Sequence, residues 1–194
     1  MSYIPLADHL PGITGLLEYS RKTAEPIREL TQILMRGPST LSEGERELIA
    51  AVVSAGNDCV FCTTAHTATA DTYYPDPSVA QLAKRDPESA PLSDKMKALL
   101  QIARLAGKGG KYVSDDAINR AREHGATDIE IHDTVLIAAL FCLYNRYVDG
   151  LATQLPKDAS YYENLAGRLH NNGYMRMPEA YEQLKETKPK HNKP

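Results

Sequence analysis

The sequence has no tryptophan, only two phenylalanines and only three cysteines in 194 residues. So few cysteines, behind a start (MSYIPLADHLPG) that lacks the basic residues and apolar stretch of a secretory signal, argue for a reducing, cytoplasmic setting and against a disulfide framework. Positive charge is not in excess either: 22 Lys+Arg against 25 Asp+Glu leaves a net charge of −3, so neither nucleic acid nor a membrane surface is an expected partner. The most apolar uncharged run, Thr134 to Asn145, falls far short of the ~20 residues a membrane helix needs. Alternating strand patterns, and Asn-Gly or Asp-Gly turns between strand candidates, are missing, which excludes β-rich folds. With 42% hydrophobic and 24% charged residues, the expectation is a soluble globular protein with one ordinary core.

What is present is helical periodicity. Thr23 is placed to cap a helix with Pro26 in its first turn, running through IRELTQILMR to Gly37 and Pro38. Ser42 with Glu45 makes a capping-box pattern ahead of Leu48, Ile49, Val52 and Val53. Asp58 reads as the N-cap of a helix opening at Cys59. Asp76 with Pro77, Ser93 and Ser114 start shorter helices, the second closed by Gly107, Gly109 and Gly110. Thr127 with Glu130 is a second capping box before IHDTVLIAALFCLYNRYVDGLA, and weaker patterns follow near 160–172 and 178–186. The expected class is all-α: a single domain over residues 1–181, then a disordered Lys/Pro-rich tail over 182–194. Ser42–Ala55 also aligns over Asp128–Phe141, which fits two pseudo-repeated helical units as well as it fits chance similarity of two capped helices.

Chemistry concentrates in one segment. Cys59, Cys62 and His66 form C-x-x-C-x-x-x-H, and on a helix they point within about 60° of one another. Two helical cysteines three apart have Cα atoms roughly 5–5.5 Å apart, within disulfide range, so the pair suits a dithiol/disulfide cycle. Position at a helix start lowers thiol pKa. Dipole logic favours Cys59 as the reactive thiol, whereas reach favours Cys62, whose i+4 neighbour is His66; a nucleophile needs a base within hydrogen-bond distance, so reach is preferred. Glu47, on the preceding helix, folds back to orient the imidazole if the two helices form a tight hairpin.

The same residues admit plainer readings: two small buried hydrophobes with a core or surface histidine, or a zinc site with Glu47 as fourth ligand. Structural zinc draws thiolates from paired knuckles and no second C-x-x-C exists, while a thioredoxin reading needs a βαβ context. Neither a metal nor an organic cofactor is expected. Cys142, amid LIAALFCLYN, reads as a buried hydrophobe. Tyr144, Asn145, Arg146, Tyr147 and Asp149 form a polar cluster suited to a pocket or an oligomer contact.

The pattern E-x11-C-x-x-C-x-x-x-H, carried by Glu47, Cys59, Cys62 and His66, resembles the active-site motif of the alkylhydroperoxidase D-like branch of the carboxymuconolactone decarboxylase family. RGPSTLSEGERELIAAVVSAGNDCVFC and ATDIEIHDTVLIAALFCLYNRYVDGLAT are similar to the two signature halves of its "peroxidase-related" members, so that the resemblance covers roughly residues 10–155. It implies an all-α fold, a homotrimer or homohexamer, and cysteine-based reduction of a hydroperoxide substrate by a thiol or dihydrolipoyl-type reductant. Carried over, Cys62 is the peroxidatic cysteine that becomes a sulfenic acid, Cys59 the resolving cysteine, and Glu47 with His66 the proton relay. One position departs: alkylhydroperoxidase D resembles C-x-H-C, and Phe61 stands here in place of that histidine. Two other functions fit the same residues: a cofactor-free lyase or isomerase in which His66 and Glu47 move protons beside passive cysteines, and a non-enzymatic helical oligomer whose C-x-x-C senses redox state.

Overall fold

The computed structural model describes residues 2–176, and every extended regular element among them is an α-helix. In chain order these are α1 (Ile13–Tyr19), α2 (Arg21–Arg36), α3 (Glu43–Gly56), α4 (Val60–Asp71), α5 (Ser78–Arg85), α6 (Asp94–Lys108), α7 (Asp115–Glu123), α8 (Asp128–Gly150) and α9 (Ala159–Asn172). The all-α expectation holds. No helix among the described residues is long and apolar enough to cross a membrane. The helical pattern near 178–186 and the tail at 182–194 lie outside the described residues.

Both capping boxes form, with Ser42 and Glu45 opening α3 and Thr127 and Glu130 opening α8. Two helix starts differ from the sequence pattern. α2 begins at Arg21 behind Ser20 rather than behind Thr23, because the Thr23 hydroxyl bonds back to the Ser20 carbonyl at 3.0 Å and is already inside the first turn. Pro26 then falls inside the helix, where it removes one hydrogen bond without ending it. The second difference, at α4, shapes the site.

The core is built around α3, which is buried all round through Leu48, Ile49, Ala50, Ala51, Val52 and Val53 and packs against α4, α6 and α8. A second apolar cluster joins Leu16, Phe61, Ala65, Val148 and Tyr162 with Cys59 and Cys62. It lies where α9 covers α4. Two glycines fix how the chain ends cover this cluster. Gly12 has φ 59, and a Cβ there would stand 2.2 Å from the Phe61 ring. Gly173, at φ 66, ends α9 and brings the chain back to α2, where the Tyr174 N–H donates to Gln32 Oε1 at 2.7 Å.

Candidate active site

The corner between α3 and α4 places the thiols. Asp58 adopts φ 57, a left-handed conformation that Asp tolerates, and so cannot serve as the cap, which requires extended backbone. The N-cap is Cys59, at φ −78 and ψ 98, and the helix opens at Val60 with Cys62 in its first turn. Both cysteines are free thiols, Cys59 fully buried and Cys62 3% exposed.

The same corner folds α3 and α4 into a tight hairpin, and Glu47 reaches His66. Glu47, wholly buried, engages both oxygens: Oε2 lies 2.7 Å from His66 Nδ1, while Oε1 accepts from Arg36 Nη2 at 2.6 Å and from Tyr174 Oη at 2.6 Å. Burial works to raise the Glu47 pKa, yet the hydrogen bond and charge of His66, with Arg36 and Tyr174, outweigh it and hold the carboxyl below its usual range. A carboxylate only accepts, so His66 Nδ1 carries the proton of this contact, and Nε2 is the ring nitrogen free to take up or release another. The His66 ring is braced edge-on against Phe141, at 4.4 Å between centroids. Arg36 is fixed in turn by donating to the carbonyls of Met35 at 2.8 Å and Leu169 at 3.1 Å.

His66 and Cys62 both line a cavity of about 70 Å³ whose other walls include Phe61, Phe141, Tyr144 and Tyr174. Cys59 does not line it. The two sulfurs differ in acidity as well as access. Interaction with the Cys62 thiol lowers the Cys59 pKa against its burial, and the same interaction with burial raises Cys62. Ionisation of the pair is therefore easier at Cys59 than at Cys62. Access and acidity point to opposite cysteines.

The polar cluster at the end of α8 divides. Tyr144 lines the cavity with its hydroxyl 2.6 Å from that of Thr31. Buried Asn145 donates to Ser54 Oγ at 3.0 Å, accepts from Asn57 Nδ2 at 2.9 Å, and interacts with Cys62, favouring its thiolate. Asp149 is near Cys59 and opposes ionisation there. Arg146 points outward and donates to the Cys142 carbonyl at 3.0 Å, while Tyr147 packs against the cluster that holds the thiols. Cys142 is half-buried rather than fully buried, with Sγ accepting from Asn57 Nδ2 at 3.4 Å. No group of metal-ligating side chains able to hold an ion occurs among the described residues.

Residues 21–71, which span α2 to α4 and contain Glu47, Cys59, Cys62 and His66, match the carboxymuconolactone decarboxylase family. The fold is similar to the alkylhydroperoxidase AhpD core of an uncharacterized peroxidase-related protein from Ralstonia eutropha, with a TM-score of 0.71, 26% identity and 80% of each chain covered. Together these two matches support the alkylhydroperoxidase D-like branch of the carboxymuconolactone decarboxylase family. An uncharacterized peroxidase-related protein from a Silicibacter species matches this chain with a TM-score of 0.71 and 25% identity, over 79% of this chain and 78% of that one. A protein of unknown function from Agrobacterium tumefaciens, proposed to serve in antioxidant defence, shares the fold with a TM-score of 0.66 and 22% identity, over 74% of this chain and 97% of that one. No curated protein matches by sequence.

Two residues of this candidate site carry no mark in the sequence. Arg36 reads as an ordinary cation in the last turn of α2, and Tyr174 stands 127 residues from the carboxylate it contacts. No local pattern marks either, since their roles arise from the packing of α2 and α9 on the α3–α4 hairpin.

Proposed function

We propose that the chain is a thiol peroxidase that reduces hydroperoxides through a Cys59–Cys62 dithiol/disulfide cycle. The observation that carries this reading is the buried His66–Glu47 pair, held by Arg36 and Tyr174, beside a C-x-x-C pair of which only Cys62 faces the cavity. Access outweighs acidity in assigning roles, because a thiolate that a peroxide cannot approach does not react. Cys62 is the attacking sulfur in this reading, and its raised pKa makes a neighbouring proton acceptor necessary.

The Cys62 proton passes to His66 Nε2 or to the Cys59 sulfur, and the Cys62 thiolate attacks the distal peroxide oxygen. The O–O bond breaks, an S–O bond forms, and the departing alkoxide takes the proton that left Cys62 and leaves as an alcohol. The Cys59 sulfur then attacks the Cys62 sulfenic acid sulfur, the S–O bond breaks, the S–S bond closes, and the departing hydroxide takes the Cys59 proton and leaves as water. Two electrons have moved from the thiols to the peroxide, and an external thiol or dihydrolipoyl-type dithiol restores the pair. Glu47 fixes the imidazole tautomer and supports its positive charge. Phe61 gives the cavity an apolar wall where the C-x-H-C pattern carries a second imidazole.

A cytoplasmic setting and a homotrimer or homohexamer belong to the same proposal. The apolar residues Ile33 and Leu30, 60% and 40% exposed on α2, supply surface for assembly. Light scattering that returns a clean monomer mass would remove the oligomer from the reading. The activity is tested with a hydroperoxide panel and a dithiol reductant, with sulfenate trapped by a dimedone reagent. Cys62→Ser abolishes consumption and trapping, while Cys59→Ser traps sulfenate at Cys62 without turnover. Reduced wild-type protein that leaves every peroxide intact overturns the proposal.

A further inference from the structure

The polar cluster at the end of α8 holds one side chain to which the peroxidase reading gives no part. Asn145 is 1% exposed and sits on the helix face turned to the site. Phe141, one turn before it, walls the cavity and braces His66, and Val148, one turn after it, packs in the cluster that contains both thiols. An amide buried at such a place is costly unless its polar atoms are used.

Its partners fix which way the amide points. Asn57 Nδ2 donates to Asn145 Oδ1 at 2.9 Å, which makes Oδ1 the acceptor end and Nδ2 the donor end. Nδ2 gives one hydrogen to Ser54 Oγ at 3.0 Å, and the amide is also hydrogen-bonded to the Cys62 side chain. Ser54 is wholly buried, and its carbonyl accepts from the Cys59 N–H at 3.1 Å, so Asn145 is tied to the same corner that places the sulfurs. Other groups around Cys62 resist a negative charge there. The Cys59 thiol and burial oppose ionisation, the Asp149 carboxylate adds to them, and the amide acts the other way. Burial pushes Tyr144 and Tyr162, near enough to sense the Cys62 charge, up to about 12, so both stay neutral. His66 lines the cavity beside Cys62 as the acceptor for its proton.

We infer that Asn145 is a further residue of the reacting site, its Nδ2–H donating to the Cys62 sulfur and holding the negative charge that develops there when the thiol proton leaves. Two helices then share the activation of one sulfur: His66 of α4 takes the proton and Asn145 of α8 takes the charge. That the charge serves attack on a peroxide rests on the peroxidase reading; the donor contact does not. The amide neither gains nor loses a proton, and the bonds made and broken are those already written.

Two measurements in the full chain separate the claims, both made on a Cys59→Ser background so that one thiol titrates at the corner. The first is the pH profile of iodoacetamide labelling at Cys62, read by peptide mass mapping. Asn145→Ala raises its midpoint by roughly one to two pH units, the loss expected of a hydrogen bond to a charged acceptor. Labelling near neutral pH slows at least about threefold, less than the fall in thiolate fraction because the more basic thiolate is the better nucleophile. A merely structural role moves labelling the other way, since looser packing exposes the sulfur and speeds its modification at every pH. Asn145→Leu, close in shape and without a donor, is the second variant should alanine fail to fold. The second measurement is the rate of sulfenate trapping after a pulse of hydroperoxide, which slows in parallel. Slower labelling with slower trapping supports the inference. Slower labelling in a protein that no hydroperoxide oxidises supports the donor contact and defeats the peroxidase reading. An unchanged or faster labelling profile overturns the inference, and it leaves the peroxidase reading standing where hydroperoxide is still consumed.

Discussion

Tyr174 donates its hydroxyl hydrogen to Glu47 Oε1 at 2.6 Å, across 127 residues of chain. The contact closes α9 and the turn at Gly173 over the α3–α4 hairpin, so the carboxylate behind His66 is held from both ends of the sequence. Burial and the charge on Glu47 keep the Tyr174 hydroxyl protonated, its pKa well above the usual phenol value.

Removing that hydroxyl tests its role. Tyr174→Phe leaves Glu47 Oε1 with Arg36 as its remaining partner and is expected to cost about 1–3 kcal/mol. That corresponds to a fall of roughly 2–12 °C in Tm for a domain of this size. Thermal unfolding measures it. An unchanged Tm would show that the hydroxyl contributes nothing to holding the site closed.

Glu47→Gln separates charge from shape. The folded Glu47 carboxyl has a pKa below its ordinary value of 4.5, so its stabilisation is complete above that value and is lost as pH falls through the folded pKa. At neutral pH the variant removes the closer of two counter-charges from buried Arg36 and leaves it the Glu43 carboxylate at 3.5 Å, at a cost of up to about 3 kcal/mol. The gap between wild type and variant should narrow on acidification below about pH 4. Urea unfolding at neutral and acidic pH supplies the comparison. A gap that does not change with pH would mean that the amide loses something other than charge.

The opposition between access and acidity at the thiols makes a directional prediction. Iodoacetamide should modify Cys62 before Cys59 in native protein, because Cys62 alone of the two lines the cavity. His66→Ala should slow that modification near neutral pH by removing the proton acceptor one turn away. Peptide mass mapping over a pH series reads both. Faster labelling of Cys59 would reverse the assignment of attacking and resolving sulfurs.

Gly12 sets the position of Phe61. Gly12→Ala puts a side chain at φ 59, costing about 1–3 kcal/mol in backbone strain, and drives its Cβ into the Phe61 ring. Because Phe61 walls the cavity, the variant should lose stability in denaturant unfolding and also label faster at Cys62. Wild-type stability with wild-type labelling would show that Phe61 moves aside freely.

The local signals in the sequence decided much of this structure. Capping boxes at Ser42 and Thr127, helical periodicity and the absence of strand patterns determine an all-α fold, because caps and amphipathic stripes act within a few residues of each other. The spacing of Cys62 and His66 likewise determines that they lie one turn apart on a helix, with Cys59 at its start. The start of that helix was less legible, since Asp58 has the chemistry of a cap while the reversal between α3 and α4 forces it into the left-handed region. Only the tertiary structure decided that Arg36 and Tyr174 complete the Glu47 pair, that Cys62 rather than Cys59 faces the cavity, and that residues of α2, α8 and α9 wall that cavity together. Those contacts join residues far apart in the chain. They depend on how helix faces are packed together, and no pattern within a single helix carries that information.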